Sequence, residues 1–171
     1  MKIQIMGYSG SGKSTLCRKL QNKYNIPCLH LDTVQFLPNW KVRDLEEKEK
    51  IVADFLDSNP TDWIIDGNYS KLSYYRRMAE ADLIIQLLFG RISCLFRCYK
   101  RFRNYSNTSR PDMAEGCEEK FDKEFFNWIL WGGRKKAVRN RYKRVRAQYP
   151  EKVVVIKNQR QLDKFLKSQQ V

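Results

Sequence analysis

A chain of 171 residues, 42% hydrophobic and 13% aromatic, is sized for one domain with a substantial core. No apolar run approaches the roughly 18 residues of a membrane span, and the N-terminus lacks a signal-peptide apolar stretch, so a cytoplasmic protein is expected. The net charge of +14 is lopsided: residues 91–149 hold 16 Lys/Arg against 6 Asp/Glu, whereas residues 1–90 hold 12 against 11. A basic surplus gathered in one segment suits nucleotide phosphates, nucleic acid or an acidic surface, and equally a solvated face.

Lys2–Met6 reads as a buried first strand. It runs into Gly7-Tyr8-Ser9-Gly10-Ser11-Gly12-Lys13-Ser14, which fits G-x-x-x-x-G-K-[ST] at every fixed position, and then into a helix to about Tyr24. Glycines let successive backbone N–H groups turn toward one concavity, and the following helix adds the positive end of its dipole. Gly7, Ser9, Gly10, Ser11, Gly12, Lys13, Ser14 and Thr15 are therefore the expected triphosphate cradle. Lys13 would reach the β- and γ-phosphates, and the Ser14 hydroxyl would sit on Mg²⁺. The competing reading is a Gly/Ser-rich turn without a ligand.

Cys28–Leu31 reads as a second strand ending at Asp32, where open α/β sheets put ligand-contacting residues. Residues 33–42, with Phe36, Pro38 and Trp40, read as a loop or partly helical flap. Asp44–Ser58 is an amphipathic helix, broken at Asn59-Pro60. Trp63–Asp66 is a third strand ending in a carboxylate. Asp66 is expected to support the Mg²⁺ shell through water or to position a substrate; the alternative is a cap for a helix over Ser70–Ala81.

Leu83–Phe89 is the fourth strand. Arg91 to about Arg103 is predicted helical, with Ile92, Leu95, Phe96, Tyr99 and Phe102 as its apolar stripe and Arg97 and Arg101 on the other side. Asn104–Cys117 is aperiodic and the most lid-like stretch. Helices follow over Glu118 to about Leu130, which is aromatic-rich, and Arg134–Gln148, which is very basic, with a break at Gly132-Gly133. Val153–Ile156 is the fifth strand, and Gln159–Gln169 is a closing helix. The pattern predicts one domain spanning 1–171, an α/β three-layer sandwich on a five-stranded parallel sheet, with a lid region at about 91–131.

The five cysteines, an odd number with no secretion signal, are expected as free thiols. Cys94 and Cys98 are four apart and Cys117 follows, but zinc ligand spacing argues against a metal-stabilised lid there. His30, the only histidine, lies far away in sequence.

With these elements in order, the chain resembles the P-loop small-molecule and nucleoside-monophosphate kinases, the adenylate-kinase-like group. The resemblance rests on the Gly7–Ser14 loop, the position of Asp32, Asp66-Gly67 after strand three, and a basic lid after strand four. It is more closely similar to the subgroup known as DNA topology modulation proteins, in Leu29-His30-Leu31-Asp32, Trp63–Tyr69, the Arg97/Arg101 helix, Arg110-Pro111-Asp112 and the Phe125–Trp131 helix. Asn68 and Tyr69 depart from the adenylate kinase pattern D-G-[FY]-P-R, which removes a familiar arginine contact to the acceptor; Arg76 or Arg77 is the available substitute.

The resemblance implies ATP- and Mg²⁺-dependent phosphoryl transfer to a small acceptor. Lys13, Asp32, Asp66, Arg97 and Arg101 would be the catalytic set, with Ser14 and Asp66 at the metal and Arg139 and Arg141 as weaker candidates. Asp32 would orient the acceptor hydroxyl or accept its proton, and Arg97 and Arg101 would close with the lid. The alternative is a nucleic-acid-associated ATP-binding protein using the basic 91–149 region, although no helix-turn-helix, zinc-finger or RNA-recognition signature is present. No membrane partner is expected.

Overall fold

The computed structural model describes residues 1–105, 113, 116–119 and 121–170. Arg110-Pro111-Asp112 and the centre of the lid-like stretch lie outside the described residues. In chain order the elements are β1 (Lys2–Gly7), α1 (Lys13–Tyr24), β2 (Cys28–His30), α2 (Leu31–Gln35), β3 (Phe36–Leu37), β4 (Lys41–Val42), α3 (Leu45–Ser58), β5 (Trp63–Asp66), α4 (Tyr74–Glu80) and β6 (Leu83–Leu87). They continue with α5 (Arg91–Asn104), α6 (Lys123–Leu130), α7 (Lys136–Gln148), β7 (Val153–Ile156) and α8 (Gln159–Ser168).

The main sheet has the order β2-β5-β1-β6-β7, and every pairing in it is parallel. Parallel neighbours need crossovers, and the helices that make them cover both faces. Strand alternation divides the core in two. Ile3, Ile5, Ile64, Ile85 and Leu87 face α1, α5, α6 and α8, where they meet Leu16, Leu20, Cys94, Ile129 and Leu162. Met6, Ile65 and Ile84 face α3, α4 and α7, where they meet Val52, Leu56, Met78, Tyr142 and Val145. The central strand β1 ends between these layers, so the Gly7–Ser14 loop leaves the sheet at its middle, at the carboxyl ends of the strands.

Local chemistry sets several boundaries. The Asp44 side chain caps α3 through Glu46 N–H, Asp122 caps α6 through Phe125 N–H, and Asn158 caps α8 through Gln161 N–H. With Asp122 as its cap, α6 starts at Lys123, five residues later than the helix expected from Glu118. The helix expected at Ser70 starts only at Tyr74, because residues 67–73 are held as an irregular turn and Ser73 adopts φ +45°. A 3-10 turn at Gly132–Arg134 occupies the predicted break.

Three sequence expectations are corrected. The stripe predicted on α5 is split: Ile92, Phe96 and Tyr99 are exposed, Leu95 and Phe102 are half-buried with Leu95 against the core, and Cys94 and Cys98 are the buried residues. The inner face packs so closely on the Gly7–Ser14 loop that it carries small sulfur side chains and arginine stems instead of large apolar groups. Second, Cys17 and Cys28 are not free thiols but are joined as a disulfide between α1 and β2, while Cys94, Cys98 and Cys117 are free. Third, neither Arg76 nor Arg77 faces the cavity. Arg76 pairs with Asp57 and Glu80 near the surface, and Arg77 is fully buried. No helix among the described residues is long and apolar enough to cross a membrane.

Candidate active site

A cavity of about 1620 Å³ opens above the carboxyl ends of the strands. Its floor is the loop between β1 and α1, where Ser9, Gly10, Gly12, Lys13, Ser14 and Thr15 line it. Gly12 is the N-cap of α1 with φ +94°, and no side chain caps the helix. The first in-helix backbone bond is Leu16 N–H to Gly12 O. The N–H groups of the first turn thus have no partner within the helix, and they stand at its positive end. Among the described residues Lys13 Nζ donates only to its own loop, at Tyr8 O, 3.2 Å away. An uncapped helix start, a lysine folded over the loop and the Ser14 hydroxyl form a donor set that fits a Mg²⁺-bound triphosphate.

Two expected cradle residues do not line this cavity. Gly7 packs against the backbone of Leu87. The Ser11 side chain is fully buried, and its hydroxyl has no hydrogen-bond partner among the described residues. Both shape the loop from behind. Gly10 shows why its position admits no side chain: its φ is +75°, and a Cβ there would lie 2.5 Å from Cys98 Sγ and 2.6 Å from Cys94 O. Gly10→Ala is expected to lower stability by about 1–3 kcal/mol through overpacking against α5. Urea unfolding reads this directly, and an unchanged midpoint would show that α5 yields without cost.

The loop is held by side chains far away in sequence. The Asn68 amide accepts from Gly7 N–H at 3.0 Å and donates back to Gly7 O, clamping both backbone groups. Arg97 donates to Ser11 O at 3.1 Å and to Gln159, and its guanidinium lies 4.2 Å from the Phe89 ring centroid. Trp128 Nε1 donates to Ser9 Oγ at 3.1 Å, its ring lying against Gly132 and Gly133, where a Cβ would collide with it. Arg134 is buried with its guanidinium 3.8 Å from the Tyr8 ring centroid, bonded to Ile129 O and Phe89 O.

Across the cavity stands Asp32, in the first turn of α2. Its Oδ1 accepts from Tyr69 O–H at 2.7 Å. Burial, with the Asp32 charge beside it, pushes the Tyr69 hydroxyl far above its ordinary pKa, so it remains a donor. Asp66 is buried one layer deeper and does not line the cavity; its Oδ1 meets His30 Nδ1 at 2.8 Å. Arg101 lines the cavity and is paired with the buried Glu119 at 2.9 Å. Arg141 also lines it and donates to Asn68 O, whereas Arg139 is exposed outside it. The β3–β4 flap meets residues 117–118 over one side, through Trp40 N–H to Cys117 Sγ and Trp40 Nε1 to Glu118 O.

Comparison with known structures completes the description. A sugar kinase from Janibacter sp. HTCC2649, solved unliganded, superposes over 99% of this chain and 94% of its own, with a TM-score of 0.51 and 13% identity. The fold is that of a P-loop kinase. A deoxyadenosine kinase from M. mycoides, solved with dCMP and dCDP, covers 99% of both chains at 13% identity and a TM-score of 0.49. Neither a family model nor a curated protein sequence matches the chain.

Of the expected site residues, Lys13, Ser14, Asp32, Arg97 and Arg101 come together around one cavity, while Asp66 stands behind it. Sequence reasoning missed Asn68, Trp128, Arg134 and Gln159, whose roles come from contacts 61, 119, 45 and 62 residues apart. Only the Gly132-Gly133 pair carried a signal, a helix break that in the structure leaves room for Trp128.

Proposed function

We propose that the protein transfers the γ-phosphoryl group of ATP to a small acceptor, a nucleotide, nucleoside or hydroxylated metabolite. One observation carries this reading: the uncapped start of α1, bearing Lys13 and Ser14, opens on the same cavity as Asp32. The backbone N–H groups of Gly10 and Gly12–Thr15 would hold the β- and γ-phosphates, and Lys13 would turn from Tyr8 O to the transferring group. Ser14, with Asp66 behind, would hold a Mg²⁺ ion, which would supply charge neutralisation at the phosphates.

Asp32 is the acceptor-side carboxylate. Tyr69 occupies its Oδ1 and fixes its orientation, leaving Oδ2 to take a proton from an acceptor hydroxyl. Arg101 would balance charge on the equatorial oxygens after leaving Glu119. Arg97, already bonded to Ser11 O, would act by stiffening the loop. Exclusion of water under the 36–42 and 117–119 segments protects ATP from hydrolysis.

Screening nucleosides, nucleotides and small hydroxylated metabolites for acceptor-dependent ADP formation tests the proposal. If no acceptor accelerates ADP release and ATP does not raise the melting temperature, it fails. With the acceptor in hand, Asp32→Asn is expected to lower kcat about 10²–10⁴-fold with little change in KM for ATP. The asparagine carbonyl still accepts from Tyr69, so a kcat within about threefold of wild type would remove Asp32 from proton transfer.

A second reading draws on α7, whose exposed Lys136, Arg139 and Lys143 lie on one face. Association with nucleic acid through that face, in line with the topology-modulation resemblance, would weaken steeply with salt. Absent or salt-insensitive DNA binding would exclude it.

A further inference from the structure

Behind the phosphate loop lies a second constellation that phosphoryl transfer does not use. Cys17 is one turn into α1, Cys28 opens β2 and His30 closes it. One ligand atom from each lies within 4.8 Å of the others. His30 is oriented as a ligand. Its Nδ1 faces the Asp66 carboxylate at 2.8 Å, and a carboxylate only accepts, so Nδ1 is the donor, and the tautomer that would bind a metal keeps its lone pair on Nε2. The Nε2 lone pair is then the end that faces Cys28 Sγ, 3.9 Å away. A carboxylate holding one imidazole nitrogen while the other binds is the usual support of a metal-ligating histidine.

The backbone also suits a shared ion. The Cα atoms of Cys17 and Cys28 stand 7.1 Å apart, wider than the roughly 4.4–6.8 Å usual for a disulfide. Two thiolates on one tetrahedral zinc, with Zn–S near about 2.3 Å, hold their sulfurs roughly 3.8 Å apart, which a wider Cα separation accommodates. Two sulfurs and an imidazole select a borderline-soft cation over Mg²⁺ or Ca²⁺.

We propose that, once the Cys17–Cys28 bond is reduced, Cys17, Cys28 and His30 bind one Zn²⁺, with Asp66 as the positioning residue for His30 and water in the fourth position. Reduction consumes two electrons and two protons from a dithiol, which becomes a disulfide. Zinc binding then releases the two thiol protons to solvent. The ion would tie α1 to β2 directly beneath the loop. The ion's protein ligands are thiolates and an imidazole, and its binding is read without turnover, so the site is tested separately from phosphoryl transfer although both readings use Asp66.

The test uses the full chain, reduced with a non-chelating phosphine, loaded with Zn²⁺ and desalted. Metal analysis is expected to give one equivalent per chain, and Co²⁺ to give tetrahedral visible bands with thiolate charge transfer. Cys17→Ser and Cys28→Ser should each lose the bound ion, and Asp66→Asn should weaken it about 10–100-fold. Circular dichroism checks that the variants fold. In wild type, which needs no variant, zinc should slow alkylation of the half-buried Cys28. Reduced wild type holding no more zinc than the Cys17→Ser/Cys28→Ser variant would overturn the proposal. So would zinc retained in full by the disulfide form, or cobalt spectra without thiolate ligation.

Discussion

Lys13→Ala is expected to cut acceptor-dependent ADP formation by about 10²–10³-fold, the range for removing one preorganised group that meets developing charge. Among the described residues Lys13 makes a single hydrogen bond, to Tyr8 O. The loop is held elsewhere, by Asn68 at Gly7, Arg97 at Ser11 and Trp128 at Ser9. Removing the ammonium therefore leaves the fold intact, and the melting temperature without ligand should stay close to wild type. The thermal shift induced by Mg-ATP should shrink or vanish, because the charge that meets the phosphates is gone. Steady-state kinetics and melting curves of the two proteins decide the matter. Turnover within about twofold of wild type would end the phosphoryl-transfer reading.

Arg77→Ala is expected to destabilise the protein by about 3–5 kcal/mol, the usual cost of breaking a buried, fully engaged ionic group. Arg77 is completely buried. Its guanidinium donates to Leu72 O at 2.8 Å, Gln4 Oε1 at 2.6 Å and Tyr69 O at 2.7 Å, and its Cζ is 5.8 Å from the Tyr74 ring centroid. Burial pushes its pKa down to about 10, so it remains charged at neutral pH. Truncation would leave two carbonyls and the Gln4 amide without their donor in the core. For a chain of this size the loss corresponds to a melting temperature lower by roughly 6–20 °C. The irregular 67–73 turn is organised around this side chain, so Tyr69 would lose its anchor and Asp32 its partner. Differential scanning calorimetry reads the first effect. A melting temperature within about 2 °C of wild type would show that water or repacking replaces those bonds.

Arg77 also shows where a sequence reading stops. A basic residue on a short amphipathic helix beside a phosphate site reads as a ligand contact, and its burial follows from Gln4, a polar residue inside a central strand. That partner lies 73 residues away. The first strand, loop and helix were legible because they are contiguous, and apolar alternation with Gly-Lys-Ser chemistry leaves few alternatives. The five parallel strands followed for the same reason: short Val/Ile-rich runs separated by helical periods. The inner face of α5 was not legible. Periodicity identifies the larger apolar stripe, Ile92, Leu95, Phe96, Tyr99 and Phe102, of which only Leu95 packs against the core, while the positions closest to the loop are Cys94 and Cys98. Asp32 was found from its place after a strand, while its hydroxyl partner Tyr69 had no local signature.

The double clamp of Asn68 on Gly7 bears on how the site can move. Both backbone polar groups of one residue are tied to the turn after β5, so the phosphate loop and that turn share a single frame fixed by adjacent strands. In-line transfer tolerates misplacement of less than about an ångström between reacting atoms. If the proposed transfer holds, that tolerance would be met on the donor side by the architecture of the sheet. Admitting and releasing ligands would then fall to the segments above it, residues 36–42 and 117–119, which meet through three hydrogen bonds among the described residues. Alignment and access thus belong to different parts of the chain, and a substitution that loosens one need not disturb the other.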